Sequence, residues 1–260
     1  MKQELKIFFT ALMFYTRIPC PSNIDHHPDY INKATRYFPL IGCIVGGISF
    51  LFYWAGSFLF DQNIAIVFSL LAGILTTGAF HEDGLADVCD GFGGGYTKER
   101  ILTIMKDSQI GAYGAIGIML LLLLKFTSLQ TLFTFTISNT QLFLFFITYH
   151  SLARLAAINI VFISTYARDD ESSKAKPIAK AHSYKEIAGA YFFGLTPLLI
   201  LAFYNFKFIL ILLPLFVLVL FANRYFNKWL GGYTGDCLGA VEQIGEVLII
   251  LTFIAVCKYL

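Results

Sequence analysis

The sequence contains little charge and no excess of either sign. Only 14% of its 260 residues are Asp, Glu, Lys or Arg, whereas a typical soluble domain contains about 25%. The formal net charge of +2 gives no reason to expect nucleic acid as a partner. The five cysteines include no C-x-x-C pair, which argues against a zinc site, and an odd number cannot form a fully paired disulfide framework. We therefore expect free thiols.

Apolar side chains dominate instead. Hydrophobic residues make up 57% of the chain and include 27 Phe, against about 45–50% apolar residues in a soluble domain. This composition indicates an integral membrane protein more strongly than a large soluble helical core. We predict an all-α fold that forms a single polytopic membrane domain over residues 1–260.

Apolar runs separated by polar connections predict about seven transmembrane helices. They cover residues 38–60, 63–81, 111–135, 139–164, 187–204, 206–222 and 239–258. The run Ile7–Tyr15 is too short to cross about 30 Å of hydrocarbon, so we expect a short interfacial helix there.

The positive charges predict the orientation of these helices. Most of the 19 lysines and arginines lie in the N-terminal segment and in the three long connections 82–110, 165–186 and 223–238. By the positive-inside rule, the N-terminus and these loops face the cytoplasm. We therefore expect the active-site loops on the cytoplasmic face.

Acidic residues gather in one polar segment, His81–Gly114. In a helix, Asp83, Asp87 and Asp90 fall at positions i, i+4 and i+7, within roughly 40° of one stripe. Like charges on one face repel each other unless a cation lies between them. A solvated loop would also accommodate three aspartates, but their position at a membrane boundary favours a site. We predict that the three aspartates are catalytic and bind metal.

Glycines and a lysine follow the aspartates. We expect Gly91 and Gly93–Gly95 to end the helix and form a turn whose backbone N–H groups approach a phosphate, although a flexible linker would have the same composition. Residues 97–107 then predict a short amphipathic helix ending at Lys106 and Asp107. A carboxylate cluster, a glycine turn and a lysine suit a diphosphate held by Mg²⁺, which prefers one or two carboxylates plus substrate oxygens.

A second glycine-rich segment, Gly231–Gly239, contains Asp236 and precedes the last predicted span. Glu242 and Glu246 follow one turn apart inside that span, where carboxylates are costly unless they are paired, protonated or metal-bound. Arg154 is a candidate partner for them or a ligand of substrate phosphate. Its side chain would otherwise snorkel towards the cytoplasmic face.

The remaining polar groups bear on the class of protein. The basic loop 165–186 would attract anionic lipid or anionic substrate, and lipid is the commoner case. We expect His81 at the edge of the site and His150 in a structural role. A transporter would carry carboxylates on both faces and two related halves. Here the long polar loops lie on one face and no internal repeat is visible, which favours an enzyme.

Several motifs resemble one known family. They are Thr16–Pro19, Phe38–Gly42, His81–Asp87 with Asp90-Gly91, Ile104–Ser108 with Gly111, Tyr166–Arg168 and Gly235–Ala240. Together they make the sequence similar to the cobalamin synthase family, the membrane-bound adenosylcobinamide-GDP ribazoletransferases. Two positions depart from the family. Glu82 replaces a usually apolar residue and adds a possible metal ligand, whereas Gln243 stands where the family often has an acid.

The resemblance implies the reaction and its cofactor. The family joins α-ribazole, or its 5′-phosphate, to the phosphate of adenosylcobinamide-GDP and releases GMP. The resemblance implies that Asp83, Asp87 and Asp90 hold one or two Mg²⁺ ions, that Lys106 offsets the charge of departing GMP, and that Asp236 or a cluster aspartate activates the hydroxyl. Further candidate substrate contacts are His81, Gly93, Gly94, Asp107 and Arg154. The resemblance also implies a location in the cytoplasmic (inner) membrane of a bacterium or archaeon. Another nucleotide-diphosphate alcohol transferase is the nearest alternative. Membrane lipid and a homo-oligomer are further expected partners.

Overall fold

A computed structural model describes residues 3–21, 28–167 and 182–260. Within these ranges the chain is almost entirely helical, which confirms the predicted all-α fold. The helices are α1 (Gln3–Tyr15), α2 (Pro28–Ala34), α3 (Phe38–Gly56), α4 (Gln62–Thr77), α5 (Phe80–Gly94), α6 (Lys98–Ile104), α7 (Ala112–Leu132), α8 (Asn139–Ile163), α9 (Tyr184–Ala202), α10 (Leu212–Leu230) and α11 (Gly235–Tyr259). Short 3₁₀ turns at Thr35–Tyr37 and Phe206–Ile211 lead into α3 and α10.

Six helical segments of the described chain are long and apolar enough to cross a membrane. They are Asp29–Gly56, Ala112–Leu132, Asn139–Ile163, Tyr184–Ala202, Phe206–Leu230 and Gly235–Tyr259. The bent pair α4 and α5 would make a seventh span. The prediction of about seven spans with a preceding short helix is therefore confirmed, and α1 is that short helix.

The second predicted span differs from the structure. The sequence predicts one helix over residues 63–81, but α4 ends at Thr77 and α5 turns away from it by 87°. The break consists of Gly78 and Ala79, which both adopt left-handed backbone conformations with φ of 69° and 59°. Such a conformation costs little at glycine and is uncommon at alanine. It stops α4 after 16 residues, a length of about 24 Å.

Hydrogen bonds at both ends of α4 show that it runs the depth of the helical bundle. Near its start, Gln130 of α7 donates to the Asn63 side chain over 2.7 Å. At its other end, the Arg17 backbone N–H donates to the Thr76 carbonyl over 2.8 Å. Since α5 begins there and turns by 87°, it lies across the end of the bundle, where it contacts the beginning of α11.

Helix α8 lies at the centre of the bundle, and 78% of the residues in its most apolar stretch are buried. Two glycines one turn apart let α3 approach its backbone. A Cβ at Gly42 would lie 2.5 Å from the His150 carbonyl oxygen, and one at Gly46 would lie 2.8 Å from the Phe146 carbonyl carbon. This is the small-x-x-x-small pattern by which membrane helices pack closely. The close contact anchors α3 to the central helix.

Candidate active site

The aspartate stripe lies on α5. Residues Phe80–Gly94 form one helix, so Asp83, Asp87 and Asp90 occupy the predicted i, i+4 and i+7 positions. Asp83 is exposed, and Asp87 and Asp90 are half-buried. The opposite side of the helix carries His81 and Glu82, which are buried. Helix α5 therefore separates an accessible acidic face from a buried polar one.

Asp90 has a partner at the beginning of α7. Its Oδ2 accepts a hydrogen bond from the Gly111 backbone N–H over 2.8 Å, and its Oδ1 accepts one from Gly114 over 2.9 Å. A carboxylate in this position stabilises the first turn of a helix, because it pairs free N–H groups and complements the helix dipole. The bonds attach α7 to α5. The metal-binding role of Asp90 stays a prediction.

The glycine turn predicted at residues 91–95 is wrong, because α5 continues to Gly94. The glycines instead permit close packing. A Cβ at Gly91 would lie 2.5 Å from Met105 Cγ, and one at Gly93 would lie 2.6 Å from the Tyr113 ring. The N–H groups of Gly93 and Gly94 belong to the helix, so their contact with substrate stays a prediction that this conformation does not favour. Glycine at these positions brings the α6 and α7 regions against α5.

The crossing of α5 and α11 brings Asp236 to the same region. A Cβ at Gly84 would lie 3.0 Å from the Asp236 Cα, and one at Gly239 would lie 2.9 Å from the His81 carbonyl oxygen. Gly84 follows Asp83 directly, so the crossing places the backbone of two predicted catalytic residues side by side. The Thr234 hydroxyl caps α11 by accepting from the Cys237 N–H and donates to Asp236 Oδ2 over 3.2 Å.

The connection from α5 to α7 contains the predicted short helix. Helix α6 spans Lys98–Ile104 and begins at Thr97, whose hydroxyl accepts from the Arg100 N–H. Lys106 and Asp107 follow in the exposed turn after α6. Asp107 Oδ1 accepts a hydrogen bond from the Gln109 N–H over 3.1 Å. Both residues are exposed, and their roles stay predictions.

A buried polar cluster lies beneath the exposed face. Arg154 is 1% exposed, and its Nη1 lies 2.7 Å from Glu242 Oε1 and 3.6 Å from Glu246 Oε1. The guanidinium also lies 5.8 Å from the centre of the Phe38 ring. Of the alternatives open for Arg154, the structure shows pairing with the two glutamates and not snorkelling.

Lysine, histidine and glutamine complete this cluster. Lys125 Nζ donates to Glu246 Oε2 and to Gln243 Oε1, each over 2.6 Å. His150 Nδ1 lies 2.6 Å from Glu246 Oε1. Gln243 also donates a hydrogen bond from Nε2 to Glu82 Oε1 over 3.0 Å. The cluster thus joins α5, α7, α8 and α11 through side chains.

Lys125 and Gln243 had no expected role in this network. The position of Lys125 inside a predicted span indicated a buried partner or a polar cavity, because a lysine there requires one. His150 is buried and bound to Glu246, and its structural role stays a prediction that this position favours. Glu82, proposed as a metal ligand, is buried and bound to Gln243. Its metal-binding role stays a prediction that this position does not favour.

Within the described ranges, one group of three metal-ligating side chains has ligand atoms within 4.8 Å of one another: His150, Glu242 and Glu246. Arg154 and Lys125 already supply positive charge to these carboxylates. The α5 aspartates do not form such a group by themselves. Any metal they bind would need oxygens from a substrate as well, as Mg²⁺ commonly has.

The loop before α11 is held by backbone pairing. Tyr233 donates its N–H to the Thr165 carbonyl over 2.9 Å, and its own carbonyl accepts from Ala167 over 2.8 Å. Tyr233 is 1% exposed, and burial raises the pKa of its phenol above the usual range. The described end of the basic loop therefore lies beside the Asp236 segment. Arg168 and most of that loop's other basic residues lie outside the described residues.

These features define a polytopic helical membrane protein in which an aspartate-bearing helix lies across one end of the bundle, next to a charge-paired interior. The family model for cobalamin-5-phosphate synthase matches residues 7–254. The chain belongs to the cobalamin-5-phosphate synthase family.

Curated relatives cover nearly the whole chain. A protein of Shewanella amazonensis named adenosylcobinamide-GDP ribazoletransferase is 42% identical over 97% of this chain and 96% of its own length. Relatives of the same name from Shewanella piezotolerans and Vibrio parahaemolyticus are 43% and 38% identical, over 98% of this chain and 97% and 94% of their own lengths. No solved structure matches the chain. The predicted family and class of enzyme are thereby confirmed.

Proposed function

We propose that this protein transfers the phosphocobinamide group of adenosylcobinamide-GDP to α-ribazole or its 5′-phosphate and releases GMP. The name of its relatives, adenosylcobinamide-GDP ribazoletransferase, supports the donor and the class of acceptor. The structural observation that supports this location of the active site is the crossing of α5 and α11 at Gly84 and Gly239. It joins the Asp83–Asp87 turn of α5 to Asp236 at the beginning of α11.

The acidic face suits a Mg²⁺ ion shared with a diphosphate. Asp83 and Asp87 lie one turn apart on the accessible side of α5, and Mg²⁺ is commonly held by one or two carboxylates plus phosphate oxygens. When bound, Mg²⁺ would neutralise diphosphate charge and polarise the phosphoryl oxygens. We assign Asp83 and Asp87 as its ligands. Asp90 orients the neighbouring α7 through its two bonds to backbone N–H groups.

The reaction is a substitution at phosphorus. A hydroxyl oxygen of α-ribazole forms a bond to the phosphorus attached to cobinamide, and the bond from that phosphorus to the bridging oxygen breaks. GMP leaves with the bridging oxygen and its electron pair. Asp236 accepts the hydroxyl proton or orients the hydroxyl, and Lys106 offsets the charge that develops on GMP. Such a reaction depends mainly on positioning and charge neutralisation.

We assign a supporting role to the buried members of the predicted site. Arg154 and His81 are 1% and 2% exposed and face Glu242 from different helices. Arg154 neutralises charge in the interior, and His81 contacts Glu242 of α11 from α5, which holds the crossing of these two helices. We assign contact with the substrates to the accessible residues, namely the aspartates, Lys106 and Asp107.

We further propose that this face is cytoplasmic and that the membrane is the inner membrane. The excess of basic residues in the N-terminal segment and in the connections on this side supports the orientation. It places the acidic face where nucleotide-activated substrates are available.

The decisive experiment measures GMP release by purified protein supplied with adenosylcobinamide-GDP, α-ribazole and Mg²⁺. We expect Asp87→Asn to lower kcat by at least about 100-fold. Asparagine would hold Mg²⁺ less strongly, and the loss of one interaction that stabilises the developing charge commonly costs that much. The matched control is Glu99→Gln, which removes an exposed carboxylate from α6 and should leave the rate unchanged. Full activity of Asp87→Asn would contradict the assignment of Asp87 as a metal ligand. Absence of a corrinoid product with wild-type protein would contradict the proposed reaction.

A further inference from the structure

A cavity lies on the outer surface of the bundle, between the segment after α1 and helices α3 and α4. Its volume is about 450 Å³. Its walls are almost wholly apolar, and its lining residues from the two helices include Ile48, Phe52, Phe68, Leu71, Ala72 and Leu75. Leu75 is 70% exposed and Phe52 is 51% exposed, so the cavity opens on the outside of the bundle. That surface faces hydrocarbon in a membrane.

Arg17 lies at one end of this cavity. Its backbone N–H is bound to the Thr76 carbonyl, and its side chain packs on Gly78, where a Cβ would lie 3.0 Å from Arg17 Cγ. The missing side chain at Gly78 therefore makes room for the arginine. Within the described part of the chain, the guanidinium has no hydrogen bond or ion pair. It is an exposed and positioned cation, available to an anionic group from outside this part of the protein.

The position of the arginine agrees with that of a lipid phosphate. Thr76 is at the end of α4 from which α5 turns aside, so Arg17 lies at the membrane boundary on the acidic face. From Thr76 to Phe68 the cavity follows α4 for about 12 Å. That is most of one leaflet of a hydrocarbon core about 30 Å thick. A guanidinium also binds phosphate through paired N–H groups.

We propose that this cavity binds one anionic phospholipid, with its phosphate on Arg17 and an acyl chain between α3 and α4. The exposed apolar walls favour an amphiphile that enters sideways from the bilayer over a soluble nucleotide. The unpaired cation favours an anionic headgroup over a zwitterionic one, whose own ammonium group competes for the phosphate. Binding at this position joins the N-terminal segment to α4 just before the α4–α5 break, which orients the acidic face.

Lipid binding to the full-length protein in detergent tests this proposal without any substrate, so its outcome is independent of the proposed reaction. The probes are phosphatidylglycerol and phosphatidylcholine with identical acyl chains. The readouts are the bound lipid counted by native mass spectrometry and the rise in Tm on lipid addition. We expect wild-type protein to retain one phosphatidylglycerol in preference to phosphatidylcholine.

Two variants should weaken that retention by different means. Arg17→Gln removes the charge and should lower phosphatidylglycerol affinity about fivefold, the usual effect of one basic residue at a membrane surface. Leu71→Trp fills the cavity and should weaken binding with Arg17 intact. The controls are Arg100→Gln, an exposed cation of α6, and Leu123→Trp, an exposed apolar residue of α7. Equal retention of both lipids by wild type, or unchanged phosphatidylglycerol affinity in Arg17→Gln, would overturn the proposal.

Discussion

At the scale of single residues, the buried polar cluster is a place where one substitution has a large effect on stability. Glu82, Glu242 and Glu246 are set against Lys125 and Arg154 in a part of the protein where each charge is less than 10% exposed. A paired interior charge is tolerated, but removing one partner leaves the other uncompensated. The cost of such a removal is therefore much larger than that of an exposed charge.

We expect Arg154→Met to destabilise the protein by about 3–5 kcal/mol, because Glu242 and Glu246 would lose their shared cation. Thermal unfolding of purified protein in detergent measures this. The double variant Arg154→Met/Glu242→Gln should recover part of the loss, since Glu246 keeps Lys125 and His150. The control Arg224→Met alters an exposed arginine of α10 and should stay within about 0.5 kcal/mol of wild type. An unchanged Tm for Arg154→Met would show that the ion pairs contribute nothing.

Part of this cluster could be predicted from the sequence. Two glutamates in an apolar run and an arginine in another require each other, because an unpaired intramembrane charge is costly. The partners of Lys125 could not be predicted, since Gln243 and Glu246 lie 118 and 121 residues away and helix rotation decides the pairing. The packing role of Gly91 and Gly93 could not be predicted from the sequence either. Glycine permits a turn or a close contact, and only the packed neighbours Met105 and Tyr113 distinguish the two.

At the scale of helices, glycine positions determine how closely α3 and α8 approach. Gly46 abuts the backbone of α8, whereas Gly47 has no atom within 4 Å of an added Cβ. Gly46 and Gly47 are adjacent in the same helix, so replacement by alanine raises helix propensity equally at both positions. Any difference between the two substitutions therefore measures packing between helices.

Gly46→Ala should lower the Tm markedly, because a Cβ 2.8 Å from the Phe146 carbonyl carbon forces α3 away from α8. Gly47→Ala should leave the Tm unchanged or raise it. Unfolding of both variants under one detergent condition provides the comparison. Equal Tm values for the two variants would mean that α3 packs differently against its neighbour.

The number and order of the helices followed from hydrophobic runs, but their directions did not. The apolar run through residue 81 concealed the break at Gly78 and Ala79, because neither residue interrupts hydrophobicity. The extension of α10 to Leu230 was concealed for the opposite reason. Its last turns contain Asn223, Arg224, Asn227 and Lys228, which continue the helix beyond the apolar run. Hydropathy locates the part of a helix in hydrocarbon, whereas backbone geometry determines where the helix ends.

At the scale of the whole molecule, the bent pair decides the topology. If α4 and α5 count as one crossing, the described chain has seven spans, and two of them separate α1 from the acidic face, so α1 and this face lie on the same side. With six spans, only the span that contains α3 separates them, and they lie on opposite sides. The C-terminus lies opposite the acidic face in either case, because five spans follow α5. The hydrogen bonds at the two ends of α4 favour seven.

Labelling in sealed right-side-out vesicles tests this topology. In a variant with all five cysteines replaced by alanine, Tyr96→Cys in the exposed α5–α6 connection and Gln3→Cys at the exposed start of α1 should each react with an impermeant maleimide only after permeabilisation. Reaction of one position with permeabilisation and of the other without it would contradict seven crossings. Reaction of both positions without permeabilisation would contradict the proposed cytoplasmic orientation.

The partners in the buried cluster are far apart in the order of synthesis. Lys125 and His150 precede Glu246 by 121 and 96 residues. During translation, α7 and α8 therefore enter the bilayer before the carboxylates that neutralise them have been made. Until α11 arrives, the nascent chain carries unpaired polar groups in lipid, a state that is costly and exposed to quality control. The last helix thus completes the assembly, and a chain that ends before α11 should be degraded and not accumulate as a partial enzyme.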